Sequence, residues 1–234
     1  MKRIFLPLLP LLSSLVLAAS SASADPTPNP AGPCIQAGAT PDKVVSCVQG
    51  VYDQSHTFQS HFSQHFWVKA YNQEKTSAGR VTFVKPGKMS WTYEDDQSRG
   101  NRVVSDGTTI KVYEAGNKQM YEQTLEKSQY PAALSFLTGT GKLGDAFDFE
   151  LYPGEQMKFP GGMVLIGTPK QPTPAYSKVL FYVDQGTAQV RRVMIIDGQG
   201  NRNRFDFDDA HINVTVAPDV FRYTPPAGTS IIHP

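Results

Sequence analysis

Residues 81–93 read VTFVKPGKMSWTY. Apolar side chains recur at every second position on both sides of the Pro86-Gly87 pair, from Val81 to Tyr93. A period of two is the pattern of a β-strand with one buried face, and Pro-Gly is a turn signal. The stretch therefore predicts two antiparallel strands joined by a tight turn.

The same alternation continues upstream of this hairpin. From Phe58 to Val68 the even positions are mostly aromatic or aliphatic, with Ser60 and Gln64 between them. This pattern predicts another strand whose even positions lie on one face.

Further short strands with tight turns follow downstream, beginning at the Asp106-Gly107 hairpin signal. We count about ten strands and two helices. So many strands seldom form a flat open sheet. The prediction is a mainly β fold with a strongly curved antiparallel sheet. This sheet would be an incomplete, open β-barrel, with short helices as a lid over a hydrophobic cavity.

Two helices are predicted. Thr40-Pro41 is typical of an N-cap followed by proline at the first helical position, and apolar residues then recur at helical spacing up to about residue 54. A short apolar helix is predicted within 130–138, ended by Gly139.

The N-terminus has the features of a secretory signal peptide over residues 1–24: Lys2 and Arg3 precede a short apolar run and a small-residue cleavage site. A membrane anchor is the alternative, but the run is shorter than the ~20 apolar residues of a spanning helix. Residues 25–39 are predicted to form a Pro-rich, poorly ordered arm, and residues 40–234 a single domain.

Composition excludes several classes of protein. Lys and Arg number 22 against 21 Asp and Glu, so a strongly basic nucleic-acid binder is disfavoured. Aromatic residues make up 11% of the chain, enough to build a core. Export favours a disulfide between Cys34 and Cys47, and two free thiols remain the alternative.

No motif for catalysis, nucleotide binding or a metal–thiolate site occurs, so we expect neither an enzyme nor a cofactor. His61 and His65 would lie roughly 13 Å apart on a strand, too far apart to share a metal ion. The acidic cluster Asp206, Asp208 and Asp209 is interpreted as edge-strand charge and turn formation.

Four segments, in order, resemble the LolA family of periplasmic lipoprotein carriers. Residues 58–64 read FQSHFSQ, 79–91 read GRVTFVKPGKMSW, 103–107 read VVSDG and 221–228 read FRYTPPAG. Each motif alone is weak, whereas the ordered set is fairly specific.

The resemblance implies a periplasmic carrier that accepts acylated lipoproteins from an inner-membrane ABC transporter of the LolCDE type. It would deliver them to the outer membrane, to a receptor if one is present, and we expect a monomer. The alternatives are a binding protein for another lipid or glycolipid, membrane delivery of the LolB type, and a solid-core interaction module. The absence of a cysteine after the apolar run favours the carrier over the lipid-anchored LolB type.

Aromatic, methionine and aliphatic side chains would line the cavity and lid, because such side chains accommodate flexible alkyl chains. The candidates are Phe58, Phe62, Phe83, Met89, Trp91, Val103, Leu134, Phe136 and Leu137. The resemblance also implies a lid-closing and release role for Lys85, where the family often has arginine. Lysine lacks the planar, bidentate hydrogen bonding of arginine, so we expect lid closure here to be weaker or to work differently.

Overall fold

The structure, a computed structural model, describes residues 34–127 and 134–234. The predicted signal peptide and most of the Pro-rich arm lie outside these residues. The first helix, α1, spans Pro41–Asp53. Thr40 Oγ1 accepts a hydrogen bond from the Lys43 N–H at 3.3 Å, and Pro41 occupies the first turn. The predicted helix is therefore confirmed, and it ends one residue before the predicted boundary.

Twelve strands within the described ranges form one open, curved sheet, which confirms the predicted fold class. They are β1 (Thr57–Val68), β2 (Gln73–Val84), β3 (Lys88–Tyr93), β4 (Arg102–Asp106), β5 (Thr109–Glu114), β6 (Gln119–Thr124), β7 (Phe147–Pro153), β8 (Gly162–Pro169), β9 (Lys178–Asp184), β10 (Val190–Ile196), β11 (Arg202–Ile212) and β12 (Ser230–Ile232). Their spatial order is β12-β6-β5-β4-β3-β2-β1-β11-β10-β9-β8-β7. In the part of the chain that the structure describes, the two end strands β12 and β7 do not pair, so the sheet stays open.

The predicted hairpin pairs β2 with β3, with Val81 opposite Trp91 and Phe83 opposite Met89. On the other side of β2, Phe83 lies opposite Phe58 of β1. Cross-strand partners share a face of the sheet, so these aromatic positions gather on one side. We call this side, which faces α1, the concave face.

Two features of the sheet differ from the prediction. Twelve strands are present instead of about ten, and β12 pairs with β6 in parallel rather than antiparallel orientation. β12 has only three residues, and it reaches β6 after the chain has crossed the convex face. On that face the rings of Tyr223 and Tyr113 lie 5.5 Å apart. A short strand that pairs far along the chain leaves no periodic signal in the sequence.

The helices cover one end of the concave face. α1 buries Val44, Val48 and Tyr52. Helix α2 spans Ser135–Thr138, and Gly139 with φ 70° ends it as predicted. The start of the predicted helix, before residue 134, lies outside the described residues. Helix α3, Leu143–Ala146, was not predicted.

The disulfide joins the start of the described chain to α1. The sulfur atoms of Cys34 and Cys47 are bonded, and their Cα atoms lie 5.8 Å apart. Ile35 is 1% exposed and packs in the main core. Two residues of the predicted arm, Cys34 and Ile35, are thus held against the domain by a disulfide and by packing, whereas residues 36–38 are exposed.

The interpretation of the acidic cluster as edge-strand charge was wrong. Its residues belong to β11, which lies between β1 and β10 in the middle of the sheet. Asp206 forms ion pairs with Arg192 of the adjacent strand and, at 2.7 Å, with Arg204. A carboxylate in the middle of a sheet is stabilised by these neighbouring cations.

Candidate functional site

The nine predicted cavity and lid residues all lie in one hydrophobic cluster on the concave face. None has more than 3% of its surface exposed. Six come from β1 to β4, and the other three from the segment that contains α2. The structure thus brings all nine together in a filled interior.

Trp91 lies at the centre of this interior. Its ring centroid lies 4.9 Å from that of Phe62, 5.7 Å from Phe83 and 5.2 Å from Phe205. Such separations with tilted or edge-on rings are the favourable geometry for aromatic pairs. Aromatic rings from three parts of the sheet therefore pack around one indole.

α2 closes the interior from the helix side. The Phe136 ring meets Tyr52 of α1 edge-on at 4.9 Å and Phe181 of β9 at 5.7 Å. The Tyr52 hydroxyl accepts a hydrogen bond from the Val190 N–H at 3.0 Å. Burial raises the pKa of the Tyr52 phenol far above its ordinary value, so this group stays neutral. Tyr52 thus fixes α1 to the sheet while Phe136 fills the space beside it.

Several rings of this interior are not among the nine predicted residues, including Tyr52, Phe205 and Phe207. All three are buried in the same cluster. The alternation of Phe205 and Phe207 was a usable signal, because it predicts two rings on one face of a strand. Tyr52 gave no such signal, because an aromatic residue at helical spacing is ordinary core.

The opposite end of the concave face has no helix over it among the described residues. There a cavity of about 600 Å³ is lined by Phe66, Val103 and Val112 together with polar and charged side chains. Three polar side chains in the lining of this cavity are joined by hydrogen bonds. Tyr93 Oη donates to Gln64 Oε1 at 3.1 Å, and Gln64 Nε2 donates to Asn203 Oδ1 at 2.9 Å. We call Tyr93, Gln64 and Asn203 the polar belt.

Comparison with known proteins places this geometry in a family. The profile of the family "Outer membrane lipoprotein carrier protein LolA" matches residues 53–224. The chain belongs to the LolA family. An outer-membrane lipoprotein carrier protein of Nitrosomonas europaea is 25% identical over 177 residues, covering 75% of this chain and 82% of the relative. The corresponding protein of Nitrosospira multiformis is 24% identical over 190 residues, covering 80% and 87%.

The fold recurs in a solved structure as well. An uncharacterized conserved protein from Thermus thermophilus matches with a TM-score of 0.50 at 12% identity. The match covers 82% of this chain and 98% of that one. At this identity the similarity concerns the fold alone.

LolA proteins are periplasmic lipoprotein carriers, a role that is not enzymatic. Among the described residues, no helix has the length and apolar character needed to cross a membrane. In the same part of the chain, no group of three or more His, Cys, Asp or Glu side chains is arranged to hold a metal ion.

Lys85, the predicted lid-closing residue, links the two helices. Its Nζ donates to the Tyr52 carbonyl oxygen at the end of α1. Its aliphatic stem passes so close to Gly139 that a Cβ there would lie 2.8 Å from Lys85 Cδ. The neighbouring Gly87 N–H donates to the Thr138 carbonyl oxygen of α2 at 3.0 Å. Glycine at position 139 therefore allows the lysine stem to cross the end of α2.

The charge on Lys85 is only partly compensated. Burial lowers the pKa of its ammonium group, and the carboxylate of Asp53 partly opposes this shift. In the structure Lys85 contacts α1 through one carbonyl oxygen and α2 through its hydrocarbon stem.

Proposed function

We propose that this LolA-family protein takes acylated lipoproteins from an inner-membrane ABC transporter of the LolCDE type and delivers them to the outer membrane. It would act in the periplasm as a monomer, after removal of residues 1–24. The acyl chains would enter the aromatic interior beneath α1 and α2. The proposal is supported by this interior, whose nine predicted residues are buried and, apart from the indole N–H of Trp91, apolar, and which short helices cover.

The composition of the interior suits alkyl chains. Its walls are rings, a methionine and branched aliphatic side chains, which give contact area without requiring hydrogen bonds from the ligand. α2 has only four residues, and its N-terminus lacks a side-chain cap. So short a helix depends on tertiary contacts rather than on its own stability, and it can move at modest cost.

The filled interior also explains how a carrier could release its cargo. A lipoprotein anchor has on the order of 40 methylenes, and full burial at ~0.8 kcal/mol each would give about 30 kcal/mol. Non-covalent affinities end near about 20 kcal/mol, so an open, preformed cavity would hold such a ligand too tightly. Here loading must displace Phe136 and its neighbours, and the lost packing offsets part of the gain.

Mass spectrometry of the cargo that co-purifies from the periplasm tests the proposal. We expect acylated lipoproteins on the wild-type protein and clearly less on Leu134→Ala. Leu180→Ala is the matched control, because Leu180 is also buried but packs in the separate cluster with Val164 and Tyr182. Another lipid on the wild-type protein would replace the proposed cargo, and no apolar cargo at all would favour an interaction module.

A release assay tests the transporter and the destination. Inner-membrane vesicles that contain the ABC transporter and a radiolabelled lipoprotein are incubated with the purified chain. We expect ATP-dependent appearance of lipoprotein in the soluble fraction, followed by its transfer to outer-membrane vesicles. Release without ATP would contradict the transporter step, and transfer to protein-free liposomes would indicate delivery of the LolB type.

A further inference from the structure

We propose that the polar belt, together with the indole N–H of Trp91, binds the ester and peptide carbonyls at the acylated N-terminus of the cargo. This inference rests on the proposed carrier function and divides its site into two parts. The alkyl chains occupy the aromatic interior, and the first peptide groups leave through the cavity of about 600 Å³.

The side chains of the polar belt carry more N–H donors than the hydrogen bonds between them use. Between its members the hydrogen bonds run in one direction, from Tyr93 to Gln64 and from Gln64 to Asn203. A side-chain amide carries two N–H donors. One N–H of Gln64 is used within the belt, and both Gln64 and Asn203 lie in the lining of the cavity. Their amide N–H groups can serve carbonyl oxygens of a ligand in the cavity.

Trp91 supplies a second, independent observation. It is fully buried, yet its Nε1–H has no hydrogen-bond acceptor in the described part of the chain. Buried donors without a partner are rare, because each has lost its bond to water without replacement. The other tryptophan, Trp67, donates its Nε1–H to Asn72 Oδ1 at 3.3 Å. An ester oxygen of the cargo would give Trp91 the acceptor it lacks.

One aromatic ring contacts both Trp91 and the polar belt. The Phe62 ring lies 4.9 Å from that of Trp91 and 5.2 Å from that of Tyr93. Beyond the belt the lining changes from purely apolar to mixed, because Phe66 is accompanied by charged side chains such as Lys75 and Glu114. This order of apolar interior, neutral donors and mixed cavity matches the order of alkyl chain, ester and peptide in an acylated cysteine.

Binding of two ligands to one variant tests the inference. The first is a synthetic peptide with an N-terminal S-dipalmitoylglyceryl cysteine. The second is N-phenyl-1-naphthylamine, a fluorescent apolar dye without a carbonyl group. For Gln64→Leu we expect the Kd of the lipopeptide to rise about threefold to tenfold, the effect of losing one hydrogen bond. The Kd of the dye should stay unchanged.

Gln59→Leu is the matched control. Gln59 is half-buried on the same strand, but its odd position points it to the convex face, where its amide reaches Thr82 Oγ1 at 3.4 Å. Neither ligand should bind this variant differently. Tyr93→Phe keeps the packing and removes one hydroxyl, so it repeats the test if Gln64→Leu does not fold. We expect about a twofold to threefold loss of lipopeptide affinity for that variant.

The NMR signals of the indole N–H protons give a separate readout, since the chain has only two tryptophans. The lipopeptide should move the Trp91 signal downfield and leave that of Trp67 in place. An unchanged ratio of the two Kd values in Gln64→Leu, or an equal change in Gln59→Leu, would overturn the inference and leave the carrier function standing. A wild-type protein that binds neither ligand would overturn both.

Discussion

The two ends of the concave face are built differently. At the helix end, Phe58, Trp91 and Phe136 pack as in any protein core, under α1 and α2. At the other end the same strands continue, but Phe66 is only half-buried and faces an open cavity. One sheet thus carries a region that holds the fold together and a region that does not need to be filled.

The difference shows how a curved sheet can serve as both scaffold and container. Residues at the helix end contribute stability when no ligand is bound, so any ligand that enters there must compete with the protein's own side chains. Residues at the cavity end have fewer contacts to lose, so they are free to be polar and to recognise a ligand.

The largest expected effect comes from truncating the centre of the helix end. Trp91→Ala should lower the free energy of unfolding by about 3–5 kcal/mol, because it removes a fully buried aromatic ring. Phe66→Ala, its counterpart at the cavity end, should cost less than about half as much. Urea denaturation measures both. Equal losses would show that the cavity end is also part of the core.

The disulfide should matter next, and only for the helix end. It joins residues separated by 13 positions, so replacing both Cys34 and Cys47 by alanine should cost about 2–3 kcal/mol. Amide hydrogen exchange locates the effect: protection should fall in α1, whereas amides of β1 near Gln64 should change less. A uniform loss of protection would contradict the separation of the two ends.

Lys85→Met should have a smaller effect. The variant keeps a hydrocarbon stem against Gly139 but removes the charged donor from the Tyr52 carbonyl. We expect this change to lower the free energy of unfolding by about 1–2 kcal/mol. Lys88→Met is the control, since Lys88 lines a cavity on the convex face, away from the helices. We also expect the Lys85 variant to take up an apolar dye faster, because α1 and α2 are held less firmly. Unaltered uptake would argue against a lid-closing role for Lys85.

Short sequence patterns predicted the first helix and the buried face of the strands at the helix end. Thr40-Pro41 marked the start of α1, and the alternation from Met89 to Tyr93 placed Trp91 on the buried face. Both depend on neighbours in sequence, so they are visible in a single chain. The central position of Asp206 was missed because β11 pairs with β1 from a distant part of the chain, and this pairing makes β11 an inner strand.

The polar belt shows the same limit. Gln64 was visible as a polar residue at an even position of β1, where the other large side chains are apolar. Its partners Tyr93 and Asn203 lie on β3 and β11, far away in sequence. The sequence could therefore mark Gln64 as unusual for a buried face but could not supply the hydrogen bonds that make it part of a site.

The smallest expected effect is the pH dependence of the free energy of unfolding that Lys85 causes at the helix end. Burial lowers the pKa of Lys85 below its ordinary value of 10.5 in the folded protein. Between the two pKa values the unfolded chain binds more protons than the folded one, so the contribution of this group to the free energy of unfolding rises with pH. The stability difference between the wild-type protein and Lys85→Met should therefore grow in favour of the wild type as pH rises towards 10.5. Other titrating groups are common to both proteins and cancel in this difference.

Asp53 provides a second comparison, because its carboxylate opposes the lowering of the Lys85 pKa. In Asp53→Asn the pKa of Lys85 should fall further, so the stability gain should begin at a lower pH. Urea midpoints measured at several pH values between about 8 and 10.5 give both comparisons. A difference that stays flat across this range would mean that Lys85 is as well solvated in the folded protein as in the unfolded chain. The helix end would then be no more closed around Lys85 than the cavity end is around Lys75.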